Sequence, residues 1–84
     1  MNVVVEYSQG ADVGYEVYTS VNLDHPDLAE FIGDAFDLSG RYTTKPRVCV
    51  TTFDQTDGLE IQTELVSSKS QIQKVIKGLK KCLN

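Results

Sequence analysis

The pattern of apolar and polar positions divides the chain into four strand-like segments. Each is rich in β-branched or aromatic residues, and in the second and fourth segments apolar and polar residues alternate with the period of two typical of a strand. The Asp57-Gly58 step between the last two segments is a strong hairpin signal. We therefore predict two β-hairpins. Their strands cover residues 3–8, 14–21, 47–53 and 59–66.

A helical period follows each predicted hairpin. Apolar residues recur there at intervals of three and four, which places them on one face of an α-helix. Asp24 is the predicted N-cap of the first helix, Gly40 is its predicted stop, and Ser67 or Ser68 is the predicted cap of the second helix. The apolar stripes consist of Leu28, Phe31, Ile32, Ala35 and Phe36 in the first helix and of Ile72, Val75, Ile76, Leu79 and Leu83 in the second.

The element order ββα-ββα predicts an α+β fold of two layers. Each strand pair and each helix has one apolar face, so both helices can bury their stripes on one face of a four-stranded antiparallel sheet. The first and third strands are the most continuously apolar, which favours the spatial order 2-1-3-4, with 1-2-4-3 as the alternative. The 84 residues suffice for a single domain, in which residues 1–40 and 46–84 repeat the same pattern.

The second face of the predicted sheet is open to solvent. In the fourth strand, Leu59, Ile61 and Leu65 share the face that we expect against the helices. The apolar side chains left on the open face make it a candidate interface for a partner or a homodimer, and the alternative is an ordinary solvated face with scattered apolar residues. The residues that we expect there are Val4, Glu6, Glu16, Tyr18, Cys49, Thr51, Phe53, Glu60, Gln62, Glu64 and Val66.

Charge is distributed unevenly along the chain. The net charge is −4, from 8 Lys and Arg against 12 Asp and Glu. All the acids and three of the cations lie in residues 1–66, which carry −9, whereas five lysines give residues 67–84 a charge of +5. A chain whose larger part is acidic is not expected to have nucleic acid as its main partner.

Four carboxylates form one stripe along the first predicted helix. Their spacing of three and four residues sets them opposite the apolar stripe. Asp34 and Asp37 lie toward the negative end of the helix macrodipole, where a carboxylate is unfavourable. Two explanations stay open: the carboxylates pair with lysines of the second helix, or they face a basic surface on a partner. The stripe consists of Asp27, Glu30, Asp34 and Asp37.

Basic residues form a second candidate site. Lysines on the outer face of the second helix satisfy the helix dipole and keep that face solvated. The alternative is an anion or nucleic-acid contact, completed by the loop that precedes the third strand. The residues of this alternative are Arg41, Lys45, Arg47, Lys74, Lys77 and Lys81.

The sequence contains no pattern that points to catalysis. It has no GxxxxGK[ST] or GxGxxG loop, no CxxC and no HExxH. A single histidine, His25, makes a Ser–His or Cys–His pair hard to build. We expect no enzyme activity, no cofactor and no metal. With no targeting or membrane-spanning segment, we expect a cytoplasmic protein in which Cys49 and Cys82 are free thiols.

From these features we expect a small, acidic, non-catalytic protein-binding module. Basic protein surfaces often bind nucleic acid, so such a module would inhibit its partner by nucleic-acid mimicry, as some phage-encoded antagonists of host defence do. The alternatives are a nucleic-acid-binding module and a homodimeric structural protein joined through Tyr18 and Phe53. The expected partner-binding residues are Glu6, Glu16, Tyr18, Asp27, Glu30, Asp34, Asp37, Phe53, Glu60 and Glu64.

Overall fold

The structure is a computed structural model that describes residues 1–10 and 15–82, and for residues 15–18 and 82 it describes the backbone alone. Four strands and two helices follow one another in the order ββα-ββα, which confirms the predicted α+β class. The connection between the first two predicted strands lies largely outside the described residues, and the predicted core residue Leu83 lies wholly outside them. The elements are β1 Asn2–Ser8, β2 Tyr15–Asn22, α1 Leu28–Gly40, β3 Val48–Phe53, β4 Glu60–Val66 and α2 Ile72–Cys82, with a 3₁₀ turn Lys69–Gln71 before α2.

The sheet is antiparallel throughout and has the strand order β2-β1-β3-β4. The central strands β1 and β3 are paired so that Val5 lies opposite Val50. Val50 and Val5 are fully buried, as expected for strands that carry the longest apolar runs. The edge strands are β2 and β4.

Both helices pack on one face of the sheet. Side chains from α1, α2, β1, β3 and β4 enter one core cluster, which Leu23 joins from the turn after β2 and against which Val21 of β2 packs. The aromatic residues Phe31 and Phe36 of the predicted α1 stripe are only half-buried. The cluster contains Val3, Val5, Leu23, Leu28, Ile32, Ala35, Val48, Val50, Val66, Ile72, Ile76 and Leu79.

Helix α1 begins at Leu28, so the prediction of Asp24 as its N-cap was wrong. The chain instead forms turns between β2 and α1, and side chains satisfy their backbone donors. The Asp24 N–H donates to Asn22 Oδ1 at 2.9 Å, and the Asp27 N–H donates to His25 Nδ1 at 3.1 Å. These bonds supply acceptors that a capping carboxylate would otherwise provide.

Strand β4 has the opposite orientation to the predicted one. Val66 lies opposite Val48 and both are fully buried under the helices, so the side chains two and four residues earlier share that face. Glu64 and Gln62 therefore lie on the helix side, and Leu65 and Ile61 lie on the open face. Leu65 and Val66 are adjacent and only one can face the helices; the residue nearer to α2 is the one buried.

Gln62 and Glu64 stay in contact with solvent on the helix side because β4 is an edge strand. Gln62 and Glu64 are half-buried at the border of the helical layer, and the Gln62 amide donates to Glu64 Oε1 at 2.7 Å. The assignments of Gln62, Glu64 and Val66 to the open face were thus wrong. Helix α2 covers the Val66 end of β4 and leaves the rest of this border open.

Candidate protein-binding surface

The open face of the sheet is built by alternate residues of β1, β3 and β4. In antiparallel strands, directly opposed residues point to the same face. Two rows are fixed by the register: Val4–Thr51–Thr63 and Glu6–Cys49–Leu65. Phe53 lies opposite Asn2 on one side and Glu60 on the other, which places it in a third row. A bulge between Thr52 and Phe53 leaves Ile61 as an extra residue without an opposed partner in β3.

Apolar side chains cluster on this face and remain in contact with solvent. Ile61 is 44% exposed and Leu65 is 45% exposed, which is unusual for large aliphatic residues so close together. Leu59, the last residue of the loop between β3 and β4, is 65% exposed. Half-buried residues of the neighbouring strands complete the cluster. We define the open-face patch as Val4, Cys49, Phe53, Ile61 and Leu65.

Contacts among Thr51, Thr63 and Glu60 connect polar side chains on the open face. Thr51 is 4% exposed although it points to the open face, so its neighbours cover it. Its Oγ1 lies 3.2 Å from Thr63 Oγ1, and the Thr63 hydroxyl donates to Glu60 Oε1 at 2.5 Å. Side chains that are fixed in this way lose little conformational entropy when a partner binds.

Carboxylates stand at two borders of the open-face patch. Glu6 is in the same row as Leu65, and Glu60 follows Phe53 in its row. Both residues are placed as predicted. The side chains of Glu16 and Tyr18, which were also predicted on this face, lie outside the described residues. The patch is therefore apolar at its centre and negative at its borders.

The acidic stripe on α1 is on the opposite side of the molecule. Leu28, Ile32 and Ala35 turn one face of α1 toward the sheet, and the carboxylates lie opposite that face. The acidic stripe and the open-face patch thus belong to two separate surfaces, and the binding role of each stays a prediction. The four stripe residues are all exposed: Asp27, Glu30, Asp34 and Asp37.

A lysine from the start of the last helical segment pairs with this stripe. The Lys69 ammonium lies 2.7 Å from Asp37 Oδ1, with the two side chains 55% and 60% exposed. This pair compensates the unfavourable position of Asp37 near the end of α1. Asp27 and Glu30 have no ion pair within the described part of the chain, and they lie at the start of α1, where the helix dipole favours carboxylates. Local pairing therefore explains Asp37, and the helix dipole explains Asp27 and Glu30.

The basic residues are divided between two grooves. Thr43, Thr44, Lys45 and Arg47 line a groove of about 380 Å³ after α1. A separate groove of about 570 Å³ runs along α2, and its lining shares no residue with the first. Arg41 and Lys81 are exposed and line neither of these two grooves. The lining of the α2 groove is Ser70, Gln73, Lys74, Ile76, Lys77 and Lys80.

A buried pair of serines anchors the basic loop after α1. Ser39 Oγ donates to the Ser8 carbonyl at 2.7 Å, lies 2.8 Å from Ser8 Oγ, and accepts the Arg47 N–H at 3.1 Å. Tyr42 stacks on Tyr7 with ring centroids 6.3 Å apart. The loop is thus fixed to β1 and to the end of α1. Ser39 is the small residue that the close approach of α1 to β1 requires.

Among the described side chains, His25 and Cys49 have structural contacts of their own and belong to no metal-binding group. His25 accepts the Asp27 N–H through Nδ1, and its ring packs on Phe31 at a centroid distance of 5.0 Å. Cys49 is a half-buried free thiol within the open-face patch. Within the described residues, no three His, Cys, Asp or Glu side chains are grouped as a metal site requires. No helix among these residues has the length and apolar character needed to cross a membrane.

Comparison of the chain with protein-family models, with curated proteins and with solved structures gives no match. The open-face patch, the acidic stripe and the two basic grooves are therefore the features from which a function can be inferred. Of these, the open-face patch combines exposed apolar side chains, hydrogen-bonded hydroxyls and a charged border. Sequence analysis placed Ile61 and Leu65 in the core and so missed the two most exposed members of the patch. The signal that identifies them is the adjacent apolar pair Leu65-Val66, in which one residue must turn outward.

Proposed function

We propose that this protein is a non-catalytic binding module whose open-face patch docks on a partner protein. The observation that carries the proposal is the exposure of Ile61 and Leu65 beside Phe53 on one face of the sheet. Contiguous apolar surface of this kind costs free energy in water, and on soluble proteins it is typical of an interaction site. Burial of the patch by a partner recovers about 25 cal/mol for each Å² of apolar surface removed from water.

The carboxylates at the border define the partner's chemistry. Glu6 and Glu60 need complementary cations when the patch is covered, because an unpaired buried carboxylate is costly. The partner in this proposal has an apolar centre surrounded by Lys or Arg. A basic surface of that kind is typical of nucleic-acid binding, so docking would exclude nucleic acid and inhibit the partner. The proposal places this interaction in the cytoplasm, where Cys49 remains reduced.

The test compares two variants that alter the two separate surfaces. Phe53→Lys places a cation in the open-face patch opposite the partner's basic border. The matched control, Asp27→Lys with Glu30→Lys, reverses charge on α1, away from the patch. Each protein is used to capture partners from a lysate of the source organism, and circular dichroism confirms that each is folded. The captured protein is then purified, and its affinity is measured by calorimetry at several salt concentrations.

We expect the parent and the α1 variant to bind the same partner and the Phe53→Lys variant to lose binding at least tenfold. Affinity should fall as salt rises, because charges at the border contribute to docking. Loss of binding in the α1 variant alone would overturn the proposal in favour of the acidic stripe. Retention of the parent on DNA or RNA at low salt, with no protein partner, would favour the nucleic-acid alternative instead.

A further inference from the structure

Strand β4 is an edge strand whose protection against pairing consists of a bulge near its start and the carboxylates of Glu60 and Glu64. Its sheet neighbour is β3, so the other side of its backbone faces away from the sheet. The strand is seven residues long, contains neither proline nor lysine, and has Ile61 and Leu65 exposed on one face. Edges of soluble proteins are normally shortened, charged, bent by a bulge or covered, because unpaired backbone groups are a template for another strand. In β4 the bulge lies before Gln62, so the register with β3 is regular from Gln62 to Val66.

The sequence of β4 is complementary to itself about Thr63. If two copies pair antiparallel around a two-fold axis at Thr63, each Ile61 lies opposite a Leu65 on the open face. On the helix side, each Gln62 lies opposite a Glu64, which it can bond as it does within the chain. An axis at residue 62 would set Glu60 against Glu64, and an axis at residue 64 would set Glu64 against itself.

A groove between β4 and α2 gives the partner strand room on the helix side. It has a volume of about 340 Å³, and a Cβ built on Gly78 would meet no atom within 4 Å. Side chains of a strand added to β4 would enter this groove, where Lys74 and Glu64 line the same wall and supply opposite charges. The groove is lined by Glu64, Leu65, Gln71, Lys74, Val75 and Gly78.

We propose that two copies of the chain pair through β4, with the two-fold axis at Thr63, to form one continuous eight-stranded sheet. This dimer differs from the predicted dimer through the sheet faces, because the open faces stay uncovered. It joins the two open-face patches side by side through Ile61 and Leu65. The proposal does not depend on the proposed partner, because it concerns the edge of the sheet and a second copy.

Cysteine cross-linking tests the register directly. The background carries Cys49→Ser and Cys82→Ser. Thr63→Cys places two thiols opposite each other, about 5 Å apart between Cα atoms, which suits a disulfide. Ile61→Cys is the matched control, because its two copies lie about 13 Å apart along the strands, beyond disulfide reach. A mixture of Ile61→Cys and Leu65→Cys proteins restores opposed thiols.

We expect Thr63→Cys to form a covalent dimer under mild oxidation, Ile61→Cys to stay monomeric, and the mixture to form a heterodimer. Equal cross-linking of Thr63→Cys and Ile61→Cys would overturn the register. Sedimentation equilibrium of the parent gives the second readout. A mass of one chain at a protein concentration of several hundred micromolar would overturn the dimer itself.

If the pairing is correct, two substitutions of Gln62 change the dissociation constant of the dimer in opposite directions. Gln62→Glu creates two Glu–Glu oppositions in the dimer, and Gln62→Lys creates two Lys–Glu pairs. From the strength of cross-strand charge pairs, we expect the dimer dissociation constant to rise about 2- to 30-fold in the first variant and to fall by a similar factor in the second. Thermal unfolding at low concentration checks that the monomers stay folded. Identical dissociation constants for the two variants would contradict the proposal.

Discussion

Replacement of Ser39 by alanine tests the contact that joins the end of α1 to β1 and to the loop before β3. The Ser39 hydroxyl is fully buried and forms three hydrogen bonds: it donates to the Ser8 carbonyl and accepts from Ser8 Oγ and the Arg47 N–H. Ser39→Ala removes all three at once. The substitution leaves two backbone groups and one hydroxyl without this partner; the two Ser8 groups are fully buried and the Arg47 N–H is partly buried.

Each buried group that loses its partner costs about 1 kcal/mol or more, so we expect Ser39→Ala to lower the free energy of unfolding by about 3 kcal/mol. In a domain of this size such a loss corresponds to a fall in Tm of about 12–24 °C. Ser8→Ala leaves Ser39 with two of its three bonds, and its cost should be about 1 kcal/mol.

The assay is thermal and urea unfolding followed by far-UV circular dichroism. Ser20→Ala is the matched control, because Ser20 is exposed on β2, and its effect should stay within about 0.5 kcal/mol. A fall in Tm of less than about 3 °C for Ser39→Ala, below the smallest shift expected for 1 kcal/mol, would refute the reasoning. An equal loss in Ser8→Ala and Ser39→Ala would show that the hydroxyl of Ser39 does not serve the three partners together.

Further predictions concern four single positions. Gly78→Ala should raise the free energy of unfolding by about 1 kcal/mol in urea titrations, because Gly78 lies within α2 and its added Cβ meets no atom within 4 Å. Gly58→Ala should lower the free energy of unfolding by about 1 kcal/mol, because Gly58 has a φ of +71°. Bonds from the backbone N–H and the hydroxyl of Thr56 hold the pKa of Asp54 below its ordinary value of 3.8. The ionised Asp54 therefore stabilises the hairpin at pH above 3.8, and this contribution is lost as the pH falls through the lower folded-state pKa. In Asp54→Asn the fall in Tm between about pH 4 and pH 2 should be shallower than in the parent. An unchanged dependence of Tm on pH would contradict the assignment. Asp37→Ala should cost less than about 1 kcal/mol, because its pair with Lys69 is exposed, and a larger loss would show that the pair anchors α1 to the last helical segment.

The architecture was predictable because β1 and β3 carry the longest apolar runs and because both helices repeat apolar residues at intervals of three and four. Ile72, Ile76 and Leu79 follow the helical repeat and are buried, and Val5 and Val50 of the two apolar strands are buried in the central strands of the sheet. The α1 start was not predictable from propensity. Asp24 is a good N-cap by type, but bonds local to the β2–α1 turns, through Asn22 and His25, delay the helix by one turn.

The binding surface was harder to predict because β4 has two competing patterns. Leu59, Ile61 and Leu65 define one apolar face, and Val66 alone defines the other. If β4 were an isolated amphipathic strand, the face with Leu59, Ile61 and Leu65 would be the buried one. Pairing with β3 reverses the outcome, since Val66 lies against Val48 in the core and the alternation of the strand turns the other apolar residues outward. The pairing of β4 with β3 therefore decides which face of β4 is buried, although the alternation of apolar residues along β4 predicts the other face.

The orientation of β4 is the central claim, since both the open-face patch and the pairing of β4 depend on it. Its most direct test is the free energy of unfolding of Leu65→Lys and Val66→Lys, measured side by side in urea. We predict a loss of less than about 1 kcal/mol for Leu65→Lys, which points to solvent, and a loss above about 4 kcal/mol for Val66→Lys, which would bury a charge. The reverse order, with Leu65→Lys the unfolded variant, would contradict the account.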